Sequence, residues 1–129
     1  MEWWQALVLG VVEGLTGVVS NAIDACEAGD AITITSELKG SPSPQLIVTV
    51  EDTGSGIAEE ALPRVLDPFF TTKPIGEGSG LGLAITRRVM EEHGGTVEVT
   101  SELGQGTRVS LTFLGPQAQA NVDSQAREL

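Results

Sequence analysis

Four short segments constrain this chain more tightly than its composition does: NAIDA at Asn21 to Ala25, DTGSGI at Asp52 to Ile57, DPFFTTK at Asp67 to Lys73, and GEGSGLGLAI at Gly76 to Ile85. Each lies at a boundary of regular structure. NAIDA closes an apolar run with helical spacing, DTGSGI ends a dense apolar strand, and GEGSGLGLAI opens a second helical pattern. Glycine at such boundaries lets the backbone turn and approach another group with no Cβ in the way.

The runs between these segments have legible periods. Val8, Val11, Leu15, Val18 and Ala22 recur at steps of three and four, which forms one apolar stripe on a helix leading into NAIDA. Gly10, Gly14 and Gly17 weaken that helix by about 0.8 to 1 kcal/mol each relative to Ala, so packing must offset the loss. Ala31 to Leu38 alternates and reads as a strand, and Gln45 to Glu51 as a second, denser one. Gly40-Ser41-Pro42-Ser43-Pro44 cannot continue either, which predicts an antiparallel hairpin.

A short helix is expected around Glu59 to Val65. Leu66 to Ser79 carries Pro68, Pro74, Gly76 and Gly78 and should be a loop; one this long in a compact domain is usually functional. Leu81, Ile85 and Val89 place a helix over Gly80 to His93, ended by Gly94-Gly95. Thr96 to Ser101 and Thr107 to Leu114 read as strands joined by Glu102-Leu103-Gly104-Gln105-Gly106. From Gly115 the chain is polar and aperiodic, as expected of a disordered tail.

A chain of 129 residues fits one domain. Its net charge of −11 and pI near 4.3 exclude a general binder of nucleic acid or anionic membranes, which needs a basic face. Lys73, Arg64, Arg87 and Arg88 are the positive groups near the four segments. The single cysteine, Cys26, excludes an internal disulfide and reads as a small buried helix residue. MEWW lacks the basic leader of a secretory signal, so the cytoplasm is the expected location.

The four segments in this order resemble the N, first-glycine, F and second-glycine boxes of the histidine-kinase catalytic domain, a branch of the gyrase, Hsp90, histidine-kinase and MutL superfamily. The resemblance covers roughly Leu15 to Leu114. It implies an α/β fold: a two-layer sandwich in which a mixed, mostly antiparallel sheet packs against three helices, the Bergerat type. It also implies ATP and Mg²⁺ as cofactors, with ADP as product. The partners it implies are a separate dimerisation and phosphoacceptor domain and, indirectly, a response regulator. A nucleotide-binding module without turnover, as in a truncated or chimeric chain, is the alternative.

Under this resemblance Asp52 recognises the base. A carboxylate at the end of a buried strand needs hydrogen-bond donors, and the adenine amino group is one; guanine presents a carbonyl there and is selected against. Gly54, Gly56 and Ile57 shape the turn beside it. Taken alone, a D-x-G-x-G string is an ordinary turn; its place after a strand and between the other boxes reverses that reading. Asn21, otherwise an ordinary helix asparagine, would ligate Mg²⁺ through its amide oxygen. Asp24, one turn later, is an exposed acid or a partner of a ligating group.

Gly78, Ser79, Gly80, Leu81 and Gly82 flank a helix start whose backbone N–H groups can hold phosphates. Phe70, Thr71, Thr72 and Lys73 belong to the nucleotide lid, where Lys73 counters phosphate charge and Phe69 and Phe70 anchor the lid. Thr107 matches a family position near the base, although a strand threonine is equally easy to explain. His93 falls in an HGG turn and suits helix capping, not phosphoacceptance. Gly17 stands where the kinases commonly have a second Asn and the ATPases a Glu that activates water, so efficient hydrolysis is not expected.

The first residues carry a second resemblance. MEWWQALVLGVVEGLTG is similar to the beginning of bacterial undecaprenyl-diphosphate phosphatase, an integral membrane enzyme. Its apolar run of about 17 residues, interrupted by Gln5 and Glu13, falls short of the roughly 20 of a spanning helix, and Gly10 and Gly14 alone are weak as a membrane-contact motif. The expected organisation is therefore a foreign-looking helix segment over residues 1–16, a catalytic domain over 17–114 and a tail over 115–129. The strand that usually precedes the first helix in the kinases is absent, which leaves a sheet edge exposed.

Overall fold

Alternation of inward apolar and outward polar residues along four segments builds a single sheet. The computed structural model describes residues 3–40, 44–67 and 82–114. They form α1 (Trp3–Ala25), β1 (Ile32–Lys39), β2 (Gln45–Asp52), a 3-10 turn (Leu62–Arg64), α2 (Gly82–Glu92), β3 (Thr96–Glu102) and β4 (Gly106–Leu114). The strand order is β1-β2-β4-β3, and every pairing is antiparallel. The two-layer α/β architecture and both hairpins match the sequence expectation. The expected loop over 68–79 and tail over 115–129 lie outside the described residues.

Two details differ from that expectation. Among the described residues the sheet is wholly antiparallel, because hairpins join β1 to β2 and β3 to β4 and the connection through α2 returns the chain beside β4. The expected helix around Glu59 to Val65 is only a 3-10 turn. Pro63 brings no N–H to that segment, and short i→i−3 bonds run from Ala61 N–H to Ala58 C=O and from Arg64 N–H to Ala61 C=O, both at 2.9 Å.

One face of the sheet carries Val48 and Val50 from β2 and Val109, Leu111 and Phe113 from β4. These close a core with Val18 and Ala22 of α1 and Met90 of α2. The opposite face presents Glu51, Arg108 and Thr100 side by side across three strands and is polar. The apolar stripe of α1 keeps its expected phase from Val11 to Ala22 and departs from it at Val8. Val18 and Ala22 are buried, and Val11 and Leu15 are half-buried, but Val8 is 52% exposed.

Gly10 and Gly14 take the buried place because α2 runs close alongside. A Cβ on Gly10 would stand 3.0 Å from His93 Cδ2, and one on Gly14 would meet Leu111 Cδ1 at 3.4 Å and Met90 Sδ at 3.7 Å. Thr86 Oγ1 donates to the Gly14 carbonyl at 3.4 Å. The glycines that cost helix propensity thus permit the helix pair to close. By length and composition Val8–Ala25 could cross a membrane. In this fold 22% of that window is buried, Val18 and Ala22 among it.

Helix α2 ends as HGG predicts. Gly95 N–H reaches back to Met90 C=O at 2.7 Å and Gly94 N–H to Glu91 C=O at 3.2 Å, with Gly94 at φ 71°. This is the paired-bond C-terminal motif that a left-handed glycine allows. His93 is the capping residue, and its ring lies over Gly10 of α1.

The β3–β4 turn separates two glycines by their surroundings. Gly104 has φ 82° with nothing near its would-be Cβ, whereas Gly106 has φ 127° and its would-be Cβ lies 1.9 Å from the Asp52 carbonyl oxygen. Gly104→Ala is expected to cost about 1 to 2 kcal/mol, the strain of a left-handed residue. Gly106→Ala should cost about 3 kcal/mol or more, because backbone itself must move. Urea unfolding of the two variants checks this ranking; equal losses would contradict it.

Candidate functional site

NAIDA and DTGSGI meet at one end of the sandwich. The last turn of α1 is tied to the loop after β2 by Ser55 N–H, which donates to the Ala25 carbonyl at 3.1 Å. That contact leaves no room for a side chain at Gly54, where a Cβ would stand 2.4 Å from the same carbonyl oxygen. Gly56 has φ 74°, and its Cβ would meet the Glu102 carbonyl oxygen at 2.2 Å. Gly104 N–H donates to Ser55 C=O at 2.8 Å. The loop after β2 is therefore held between α1 and the β3–β4 turn with backbone facing backbone.

Asp52 closes β2 on the inward face, in line with Val48 and Val50, and is 6% exposed. Its Oδ1 accepts the Gly54 N–H at 2.9 Å. Among the described residues no hydrogen bond reaches its other oxygen, Oδ2, which is not fully buried. A carboxylate so placed carries the cost of desolvation with one donor supplied and room for another. Thr107 lies directly across the β2–β4 ladder from Asp52.

Asn21 is half-buried on α1, one turn before Ala25. The two helices run antiparallel, with Gly10 against His93 and Gly14 against Met90. Eleven residues further along α1 and eleven back along α2 bring Asn21 level with Gly82, the first residue of α2. The start of α2 and Asn21 therefore lie toward the same end as Asp52. Asp24 is exposed.

Of the residues named from sequence, Asn21, Asp52, Gly54, Gly56, Ile57, Gly82 and Thr107 gather here. Phe70, Thr71, Thr72, Lys73, Gly78, Ser79, Gly80 and Leu81 lie outside the described residues. Arg87 and Arg88, taken as positive groups near the motifs, point elsewhere. Each places its Nε 3.1 Å from a carboxylate one turn on, Glu91 and Glu92, and their side chains are 51% and 81% exposed. Such surface pairs contribute little.

Sequence reading missed Ser101. Its Oγ accepts the Ile57 N–H at 2.7 Å, donates to the Gly106 carbonyl at 2.8 Å and lies 2.8 Å from Thr107 Oγ1. The available signal was the strand phase: Val97 and Val99 turn inward, so a serine two residues later sits where an apolar residue belongs. Thr107 breaks the phase of Val109, Leu111 and Phe113 in the same way. Gly106 was also missed as a wall of the site. Cys26, expected to be buried within the helix, instead follows α1 and is half-buried.

Residues 8–117 match the family described as "Histidine kinase-, DNA gyrase B-, and HSP90-like ATPase". The sensor histidine kinase ZraS of Salmonella typhi is 44% identical over 92 residues, covering 71% of this chain and 19% of that protein. The chain thus spans about a fifth of that relative. Among solved structures, the mycobacterial sensor histidine kinase MprB superposes with a TM-score of 0.70 at 27% identity, over 82% of this chain and 70% of that one. Full-length ShkA in complex with AMPPNP gives 0.66 at 33% identity, over 81% and 21%.

The Cys26 thiol is held above its ordinary pKa, chiefly by burial and then by the charges of Asp52 and Asp30, against a smaller downward pull from a hydrogen bond to the Thr53 backbone. Thiolate is the reactive form. Between pH 7 and 9 the folded chain should react with a disulfide reagent more slowly than the unfolded chain, with its midpoint above the roughly 8.5 of a free thiol. Asp52→Asn removes one raising charge and should speed the reaction. A midpoint at or below the free value would contradict the electrostatics.

Proposed function

Because the chain belongs to the histidine kinase-, DNA gyrase B- and HSP90-like ATPase family, we propose that it binds Mg²⁺-ATP at this end of the sandwich for phosphoryl transfer. The acceptor is a histidine on the separate dimerisation and phosphoacceptor domain of a sensor kinase, and a response regulator follows downstream. The observation that carries the reading is Asp52: a buried carboxylate with one oxygen held by Gly54 N–H, at a strand end where Gly54, Gly56 and Gly106 pack against carbonyl oxygens with no room for a Cβ.

The Oδ2 oxygen of Asp52 accepts a hydrogen from the exocyclic amine of adenine, and the Gly54 bond holds the carboxylate in the orientation to do so. Asn21 offers a neutral amide oxygen to Mg²⁺, which when bound offsets phosphate charge. Lys73 and the stretch from Gly78 to Gly82 are assigned to the phosphates, Phe70, Thr71 and Thr72 to the lid, and Asp24 to the margin near the metal. Catalysis is then positioning and charge stabilisation, with little covalent work for the protein.

Gly17, one turn before Asn21, carries neither the carboxylate that activates water in the ATPases nor the Asn common in the kinases, so efficient hydrolysis is not expected and a module without turnover is the alternative. His93 caps α2 against Gly10, far along the helices from Asn21, and is not the phosphoacceptor. Of the foreign-looking segment over 1–16, residues 3–16 supply the first half of α1, which runs unbroken into 17–25 and so into the catalytic domain assigned to 17–114. The domain works in the cytoplasm.

Calorimetric titration with ADP and a non-hydrolysable ATP analogue tests the site. Asp52→Asn should weaken binding by about 1.5 to 3 kcal/mol, the usual worth of a hydrogen bond to a charged group; unchanged affinity would remove the base assignment. Asn21→Ala should weaken binding chiefly when Mg²⁺ is present, and an equal loss without metal would contradict the ligand role. Mixing the chain with a phosphoacceptor domain and labelled ATP should label the partner histidine.

A further inference from the structure

Ser101 has three hydrogen-bond neighbours and a single hydrogen. A hydroxyl offers one donor and two lone pairs. The hydrogen lies on the Gly106 carbonyl at 2.8 Å, and one lone pair takes the Ile57 N–H at 2.7 Å. Only a lone pair remains for Thr107 Oγ1 at 2.8 Å. Thr107 must therefore donate its own hydrogen to Ser101, and it has only lone pairs left for anything else.

Thr107 stands opposite Asp52 in the ladder and on the same face, which puts their Cβ atoms about 5 Å apart. Three residues thus form a row across the sheet, Ser101 on β3, Thr107 on β4 and Asp52 on β2. Seen from the cleft, the row shows two adjacent acceptors, the open Asp52 oxygen and the Thr107 oxygen. Its one adaptable hydroxyl hydrogen is turned away.

Resting on the adenine-nucleotide reading above, we infer that Ser101 is a specificity-positioning residue: by holding the Thr107 hydrogen, it keeps the cleft closed to purines with a carbonyl at ring position 6. With the exocyclic group set between the two acceptors, a 6-amino purine brings a hydrogen to each, whereas a 6-oxo purine brings oxygen against oxygen and has only its ring N1–H, one position away, to offer. A freely rotating Thr107 hydroxyl would turn to donate to the carbonyl and soften that rejection. Ser101 acts through Thr107. The same hydroxyl ties the Ile57 end of the loop after β2 to the β3–β4 turn, so the discriminating row and the loop move as one body.

ADP and IDP differ at this ring position, and titrating both measures the selectivity directly. In Ser101→Ala the preference for ADP over IDP should narrow by about tenfold, the worth of one ordinary hydrogen bond. Ser101→Thr, which restores the hydroxyl on a strand that favours threonine, should recover it. In a Thr107→Val background Ser101→Ala should narrow the ratio no further, since the two residues act as one unit.

A merely structural serine would weaken both nucleotides in proportion, and an unchanged ratio in folded Ser101→Ala overturns the inference. Should that variant melt below working temperature, the near-isosteric Ser101→Cys, a poor acceptor, carries the same expectation and the same refutation. Wild-type chain that bound neither nucleotide would instead sink the nucleotide reading beneath it.

Discussion

A carboxylate buried at the end of β2 sets the terms for everything around it. Removing a charge from water costs several kcal/mol unless donors replace the lost solvation. Asp52 receives one such donor from the chain, the Gly54 N–H two residues on. Only a tight turn supplies a bond at that separation, and that turn brings Gly54 against the Ala25 carbonyl, where no side chain fits. The glycines of DTGSG are thus a consequence of where the acid is buried. The oxygen left open gives the end of the sandwich its chemical character.

The helix layer obeys a related logic of close approach. Gly10 and Gly14 weaken α1 as an isolated helix, but they let α2 lie against it, with the His93 ring over one and Met90 beside the other. The Thr86 hydroxyl adds a bond to the Gly14 carbonyl. This antiparallel contact fixes the height of α1 relative to α2 and so aligns Asn21 with the start of α2. Packing at one end of the helix pair thereby sets the geometry at the other. Val8, Val12 and Ile23 remain exposed on the side of α1 away from α2.

On β2, β3 and β4 three inward positions interrupt the apolar lining: Asp52 after Val48 and Val50, Thr107 before Val109 and Leu111, and Ser101 after Val97 and Val99. They fall in one row. Polar groups placed where the binary pattern calls for apolar ones cost stability, and a fold keeps them where function or a satisfied network requires it. The Ser101 hydroxyl, with its hydrogen and both lone pairs engaged, is the satisfied member. Asp52 is the member left open.

Much of this was legible in the chain. Alternation located all four strands to within a residue or two, the prolines and glycine of 40–44 required a hairpin, and HGG announced the end of α2. NAIDA and DTGSGI marked Asn21 and Asp52, because motif spacing is a local property that the sequence states directly. The stripe of α1 was legible from Val11 to Ala22 but not at Val8, where Gly10 takes the buried place beside His93. Nor was the helix expected near Glu59, where Pro63 and short i→i−3 bonds won. Ser101 and Gly106 emerged only when register set Ser101 beside Thr107, Thr107 beside Asp52, and the Asp52 carbonyl against Gly106. Sequence by itself determined the elements and the acid at the end of a strand, because periods and turns are written residue by residue. Strand order and helix contact, which join residues dozens of positions apart, decided which hydroxyls surround that acid and which way their hydrogens point.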